Sequence, residues 1–117
     1  AECIADLRKY TNEVNPDIAI FMILTSFPGA ELYETAERSG RLEDDSWTNY
    51  DMSHAIMPTK TLSRNEVQKE LYNCYRSFYG SFGRRLSGLF SRNWIKRRTY
   101  RYMAGQDILL ELRRLFR

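Results

Sequence analysis

The sequence predicts a mainly helical fold with a small β component: one β/α unit over residues 1–60, followed by a helical extension over residues 61–117. Three observations carry that expectation. Residues 17–40 read as a strand feeding a helix, because an unbroken apolar run stops at Phe27-Pro28-Gly29 and a polar, helix-like segment follows at once. Ser63 and Glu66 stand at capping-box spacing ahead of a long apolar stripe. No second apolar run matches the first, so the strand's expected neighbours are not in this sequence.

Taken in chain order, residues 1–12 space Ile4 and Leu7 for an amphipathic helix, and Asn15-Pro16 ends it because the residue before proline avoids the α region. Residues 18–24, IAIFMIL, have no polar alternation, the pattern of a strand buried on both faces. Such a strand needs parallel partners joined by crossover helices. The next helix starts near Pro28, sets Leu32 and Ala36 on one face, and meets Gly40 as its C′ residue; Glu31 and Glu34 favour its positive end. Residues 41–61 are rich in turn and acidic types, with a short stretch at 52–57 that reads as an edge strand before Pro58.

From Ser63, the residues Val67, Leu71, Cys74, Tyr75, Phe78 and Phe82 recur at three- and four-residue steps and predict one helix with a continuous apolar stripe. Ordinary core outweighs a cofactor box for that stripe. Gly80 and Gly83 mark a change of segment. Leu86, Leu89, Phe90, Trp94 and Ile95 predict a further helix, and residues 107–116, with Ile108, Leu109, Leu112, Leu115 and Phe116, a last one.

Composition bounds the classes. An apolar content of 43% suffices for a core, and nine Pro and Gly residues exclude a low-complexity chain. No run approaches the roughly 20 apolar residues of a membrane span, and the start of the sequence lacks a signal-peptide pattern. Two isolated cysteines without a disulfide framework predict a reducing cytoplasm. The net charge of +3 conceals a steep polarity: residues 1–83 hold 8 Lys/Arg against 13 Asp/Glu, and residues 84–117 hold 10 against 2.

One set of residues carries a resemblance. Asn15-Pro16-Asp17, Phe21, Ile23-Leu24-Thr25, Phe27-Pro28-Gly29, Glu31-Leu32-Tyr33, Gly40-Arg41-Leu42, Trp47 and Tyr50-Asp51 ahead of His54 resemble the late barrel segment of cobalamin-binding radical S-adenosylmethionine enzymes. The spacing is most similar to the anaerobic magnesium-protoporphyrin IX monomethyl ester oxidative cyclase group and its Fe-S oxidoreductase relatives. The likeness runs from about Asn15 to Tyr79, with Ser26 where the family usually has Pro and Ala30 where it has Thr.

The resemblance implies that residues 1–60 are the last β/α part of a barrel with its following loop, and that the parent uses a 4Fe-4S cluster, S-adenosylmethionine and, in the cobalamin-dependent members, cobalamin. The cluster needs three cysteines at C-x3-C-x2-C spacing. Here Cys3 and Cys74 lie 71 positions apart, so the chain is expected to be a C-terminal piece that is inactive alone, with no cofactor of its own and the upstream barrel of the same polypeptide as its partner. The resemblance places Leu24, Thr25, Pro28 and Gly29 at the strand end beside the S-adenosylmethionine, and His54 as a substrate-side candidate. Against these stand plainer roles: Pro28 and Gly29 shape a helix start, and His54 is a surface residue without a metal-ligand partner at the required spacing. Asp44, Asp45 and Asp51 read as a solvated turn, not a cation site.

An isolated β/α segment exposes strand edges, so self-association is expected. The alternative function is a basic helical module. Arg84, Arg85, Arg92, Lys96, Arg97, Arg98 and Arg101, interleaved with Phe90, Trp94, Tyr100 and Tyr102, combine cations and flat rings that suit nucleic acid or an anionic membrane surface through residues 84–102. Packing against the acidic first part of the chain outweighs both, and no nucleic-acid motif is present.

Overall fold

A computed structural model describes residues 2–44 and 46–115, with side chains described through residue 108. Five helices follow in order: α1 (Glu2–Val14), α2 (Glu31–Arg38), α3 (Arg64–Tyr79), α4 (Phe82–Leu89) and α5 (Trp94–Leu115), with one 3-10 turn at Trp47–Asn49. The mainly helical expectation holds. Among the described residues there is no strand: residues 18–24 run extended without a ladder, and residues 52–57 form turn, bend and irregular backbone.

Local signals end the helices where the sequence places them. Asn15 takes a left-handed φ of 52° and its N–H bonds the Thr11 carbonyl at 3.1 Å, so α1 stops before Pro16. Past α2, Gly40 at φ 63° donates to Glu37 and Arg41 donates to Ala36, the paired bonds of a Schellman motif. The start of α2 differs from expectation. Pro28 and Gly29 form a tight turn, closed by Ala30 N–H to Phe27 carbonyl at 3.1 Å with Gly29 at φ 88°, and the helix begins only at Glu31.

The capping box is present: Ser63 accepts from the Glu66 N–H while the Glu66 carboxylate accepts from the Ser63 N–H at 2.8 Å. Helix α3 buries Leu71, Cys74 and Phe78. The stripe stops there, because Ser81 is extended and Phe82, 78% exposed, opens α4 on a new heading. The helix expected around Leu86 to Ile95 is interrupted. Asn93 caps a new start, its Oδ1 accepting from the N–H of Ile95 at 3.0 Å and of Lys96 at 3.4 Å, and α5 then runs unbroken through the basic segment. Of the apolar positions expected in the last helix, Leu109, Leu112 and Leu115 have side chains outside the described residues, as Phe116 and Asp45 are altogether.

Two packings organise the molecule. Helix α1 lies on α3, joined by the Arg8–Glu70 ion pair and by Asn12 donating to Ser77 at 2.9 Å. Helix α4 lies on α5, with Gly88 against the buried Tyr100 ring. The segment expected as an edge strand is instead tied to α3 by Gln68, which accepts from the Ala55 N–H at 2.8 Å and donates to the Ser53 carbonyl at 2.9 Å. That leaves Ala55 and Ile56 buried.

The enclosed core is small for the chain. Its radius of gyration is 17.4 Å, where a compact domain of this size gives about 13 Å. Its accessible surface is 8950 Å², against about 6,700 Å² for a folded monomer of equal mass.

The ribbon at residues 18–24 explains part of that excess. Tyr75 and Tyr79, one turn apart on α3, act as a substitute neighbour. The Tyr79 hydroxyl accepts from the Ala19 N–H at 3.0 Å and donates to the Ala19 carbonyl at 2.8 Å. Tyr75 does the same for Phe21, at 3.1 and 2.8 Å. Ile23 donates to the Met52 carbonyl at 2.8 Å. Peptide groups alternate sides in an extended chain, so one edge of the ribbon is satisfied and the other has no hydrogen-bond partner among the described residues.

We expect Tyr75→Phe with Tyr79→Phe to release this ribbon at a cost of roughly 1 kcal/mol per hydroxyl, since water reaches the freed peptide groups. Amide exchange measured by NMR should accelerate at Ala19 and Phe21 while α3 stays protected. Unchanged exchange at both amides would show that the hydroxyls do not hold the ribbon.

Candidate functional site

The ribbon forms one wall of a groove of about 570 Å³. All of residues 19–24 line it from the ribbon, with Leu7 from α1, Leu32 from α2 and Leu71 from α3. The side chains of Ile20, Met22 and Leu24 are 70%, 64% and 76% exposed. Their alternates Ala19, Phe21 and Ile23 are half-buried toward α3, where the Phe21 ring meets Tyr75 edge-on at 5.2 Å. The apolar run is therefore half covered on one face and exposed on the other. Apolar side chains of that size, side by side on an extended segment, are what a second layer or strand would cover.

The four strand-end residues divide. Leu24 faces the groove. Thr25 is buried, and its hydroxyl donates to the Ile23 carbonyl at 3.2 Å, so it serves the local backbone. Pro28 and Gly29 are exposed and form the turn into α2. Ser26 was not singled out as a site residue, yet it is 2% exposed and its hydroxyl lacks a hydrogen-bond partner among the described residues. The sequence offered one signal for it, the departure from the proline usual in the resembling family.

Beside the turn, Phe27, Tyr50 and Trp47 form a chain of rings, with centroids 6.2 Å apart for Phe27–Tyr50 and 5.1 Å for Trp47–Tyr50. Spacing alone did not reveal this cluster, because its members come from opposite sides of α2. His54 is not among the groove's lining residues. It is half-exposed and its Nδ1 lies 3.0 Å from Asp51, whose carboxylate also accepts from the backbone N–H of Ser53 and His54. The His54 side chain, then the Ser53 N–H, hold the Asp51 carboxyl below its usual range. A lowered carboxyl stabilises the fold above its unfolded value, and that contribution fades as pH falls through the lowered one.

Among the described residues no group of three or more His, Cys, Asp or Glu is placed to hold a metal ion. Asp44 is occupied by the Ser46 N–H, the Asn49 amide and Arg64. Cys3 is exposed on α1 and Cys74 buried in α3, where burial pushes its thiol pKa up. Two thiols in such different settings do not fit the three-thiolate site a 4Fe-4S cluster requires.

The basic segment splits in two. Arg84 stacks on Phe78 at 3.9 Å and donates to Asn12; Arg85 pairs with Asp107, Lys96 with Asp17, and Arg97 donates to the Ser91 carbonyl. Arg92, Arg98 and Arg101 are exposed and make no ion pair among the described residues. No helix among the described residues is long and apolar enough to cross a membrane.

No family model and no solved structure matches the chain. A curated relative is named as an uncharacterized methyltransferase of Pyrococcus horikoshii, with 31% identity over 71 residues. The match covers 61% of this chain and 16% of that protein.

Proposed function

We propose that this chain is the C-terminal part of a radical S-adenosylmethionine Fe-S oxidoreductase, similar to the magnesium-protoporphyrin IX monomethyl ester oxidative cyclase group. It supplies the last β/α unit and a helical extension and is inactive alone. The observation that carries the reading is the ribbon at residues 18–24, apolar throughout, satisfied along one edge by Tyr75 and Tyr79 and bare on the other. In the assembled enzyme a parallel neighbour covers that edge, and the groove beside Leu24 closes into the chamber that receives S-adenosylmethionine. The cluster thiolates, and cobalamin where it is used, belong to the upstream part of the polypeptide. An oxygen-sensitive cluster and two cysteines outside any disulfide framework suit the cytoplasm. The relative's name agrees with methyl transfer, one of the reaction types of this enzyme class.

The test is the coding sequence ahead of Ala1 and the protein it encodes. The expected result is a C-x3-C-x2-C motif and, after anaerobic purification, the visible absorption of a 4Fe-4S cluster with reductive cleavage of S-adenosylmethionine. A stop codon or an unrelated domain upstream overturns the proposal. The 117-residue chain by itself is expected to self-associate through the bare edge. A strictly monomeric species at high concentration, seen by light scattering, counts against the edge being competent to pair.

A further inference from the structure

The turn between α4 and α5 and the outward face of α5 have a composition unlike the rest of the molecule. Between Glu70 and Asp107 the sequence has no acidic residue. Trp94, Arg98, Arg101 and Tyr102 recur at helical spacing on α5, and all four are exposed. Trp94, Arg98 and Arg101, with Arg97, enclose a shallow hollow of about 270 Å³. Phe90 is 77% exposed on the connecting turn, beside Arg92. The inner side of α5 carries Tyr100, buried against Gly88, and Lys96, bound to Asp17 at 3.0 Å. The fold has thus sorted its cations, using some internally and leaving Arg92, Arg98 and Arg101 outside among aromatic rings.

We infer that this face is a peripheral docking surface for an anionic phospholipid bilayer. Charge complementarity selects the occupant: three guanidinium groups without a carboxylate partner among the described residues match phosphate-bearing headgroups, which they bind in a bidentate manner. The apolar component selects bilayer over nucleic acid. Phe90 and Ile95 gain from entering the boundary between headgroups and acyl chains, where Trp94 and Tyr102 also settle, and a phosphodiester backbone offers Ile95 nothing. Contact of this kind requires no spanning helix. It involves α4 and α5, not the ribbon, so it stands apart from the enzyme-fragment reading.

Flotation of the full 117-residue chain tests it, with vesicles of pure phosphatidylcholine and with vesicles containing roughly one-third phosphatidylglycerol. The chain is expected to float with the anionic vesicles only and to leave them as salt rises. In a Trp47→Phe background, the Trp94 emission shifts to the blue on binding. Arg92→Gln, Arg98→Gln and Arg101→Gln together lower partition on the order of a hundredfold, with helicity by circular dichroism unchanged. Equal partition into neutral and anionic vesicles overturns the inference. So does an unaltered partition in the triple variant, or displacement from the vesicles by a mixed-sequence single-stranded DNA at equal phosphate.

Discussion

Phe78→Ala is expected to lower stability by roughly 3–5 kcal/mol, a large part of the about 5–15 kcal/mol a domain possesses. Phe78 is fully buried and lies where three parts of the chain meet. Its ring contacts Phe21 of the ribbon at 6.4 Å and Tyr79 at 4.8 Å, both edge-on, and carries the Arg84 guanidinium at 3.9 Å. Truncation leaves a cavity and also strips Arg84 of its aromatic partner while two of its nitrogens, Nε and Nη1, are buried without hydrogen-bond partners among the described residues. The sparse core around it cannot redistribute the loss. A thermal melt followed by circular dichroism should show a fall of several degrees for each kcal/mol, with the chain partly unfolded at ambient temperature. Phe78→Leu keeps most of the apolar volume and loses the ring contacts, so it should cost roughly 1–2 kcal/mol. If both variants melt like the parent, Phe78 is not the junction described.

What the sequence made legible was local. Ser63 with Glu66, Asn15 before Pro16 and Gly40 after α2 each act within a few residues, through one or two backbone bonds that any packing leaves intact. The contacts that give the site its shape are distant. Tyr75 reads as a member of an apolar stripe and Tyr79 only as the end of the family likeness, and their hydroxyls reach residues 54 and 60 positions away. An apolar run such as residues 18–24 states that it wants covering without saying what covers it, and here one face is exposed and one edge lacks partners among the described residues. The break at residues 90–93 was hidden because Leu86, Leu89, Phe90, Trp94 and Ile95 keep a helical rhythm across it; the cap at Asn93 outweighs that rhythm. Of the candidate site, Leu24 came from the resemblance, which sets it at the end of the run. The buried, unpartnered hydroxyl of Ser26 and the ring chain through Phe27, Tyr50 and Trp47 depend on three-dimensional closure.

Gly88→Ala should destabilise the chain, and Gly83→Ala on the same helix should not. In isolation both exchanges favour an α-helix, by about 1 kcal/mol, because alanine loses less backbone freedom on folding. At Gly83 an added Cβ meets nothing within 4 Å, so that gain stands. At Gly88 the same atom would lie 2.3 Å from Cγ, 2.4 Å from Cδ1 and 2.6 Å from Cδ2 of the Tyr100 ring. These are far inside van der Waals contact, and Tyr100, 2% exposed, has little room to rotate away. Either the ring leaves its rotamer or α4 and α5 move apart, an overpacking cost of roughly 1–3 kcal/mol or more that exceeds the propensity gain. The two substitutions should therefore change the melting temperature in opposite directions. Gly88→Ala combined with Tyr100→Ala removes the clash but leaves a cavity, so its cost should fall short of the sum of the two single changes. Strict additivity across that cycle would mean that Gly88 and Tyr100 do not touch, and that α4 and α5 are not held in the close approach on which the outward face of α5 depends.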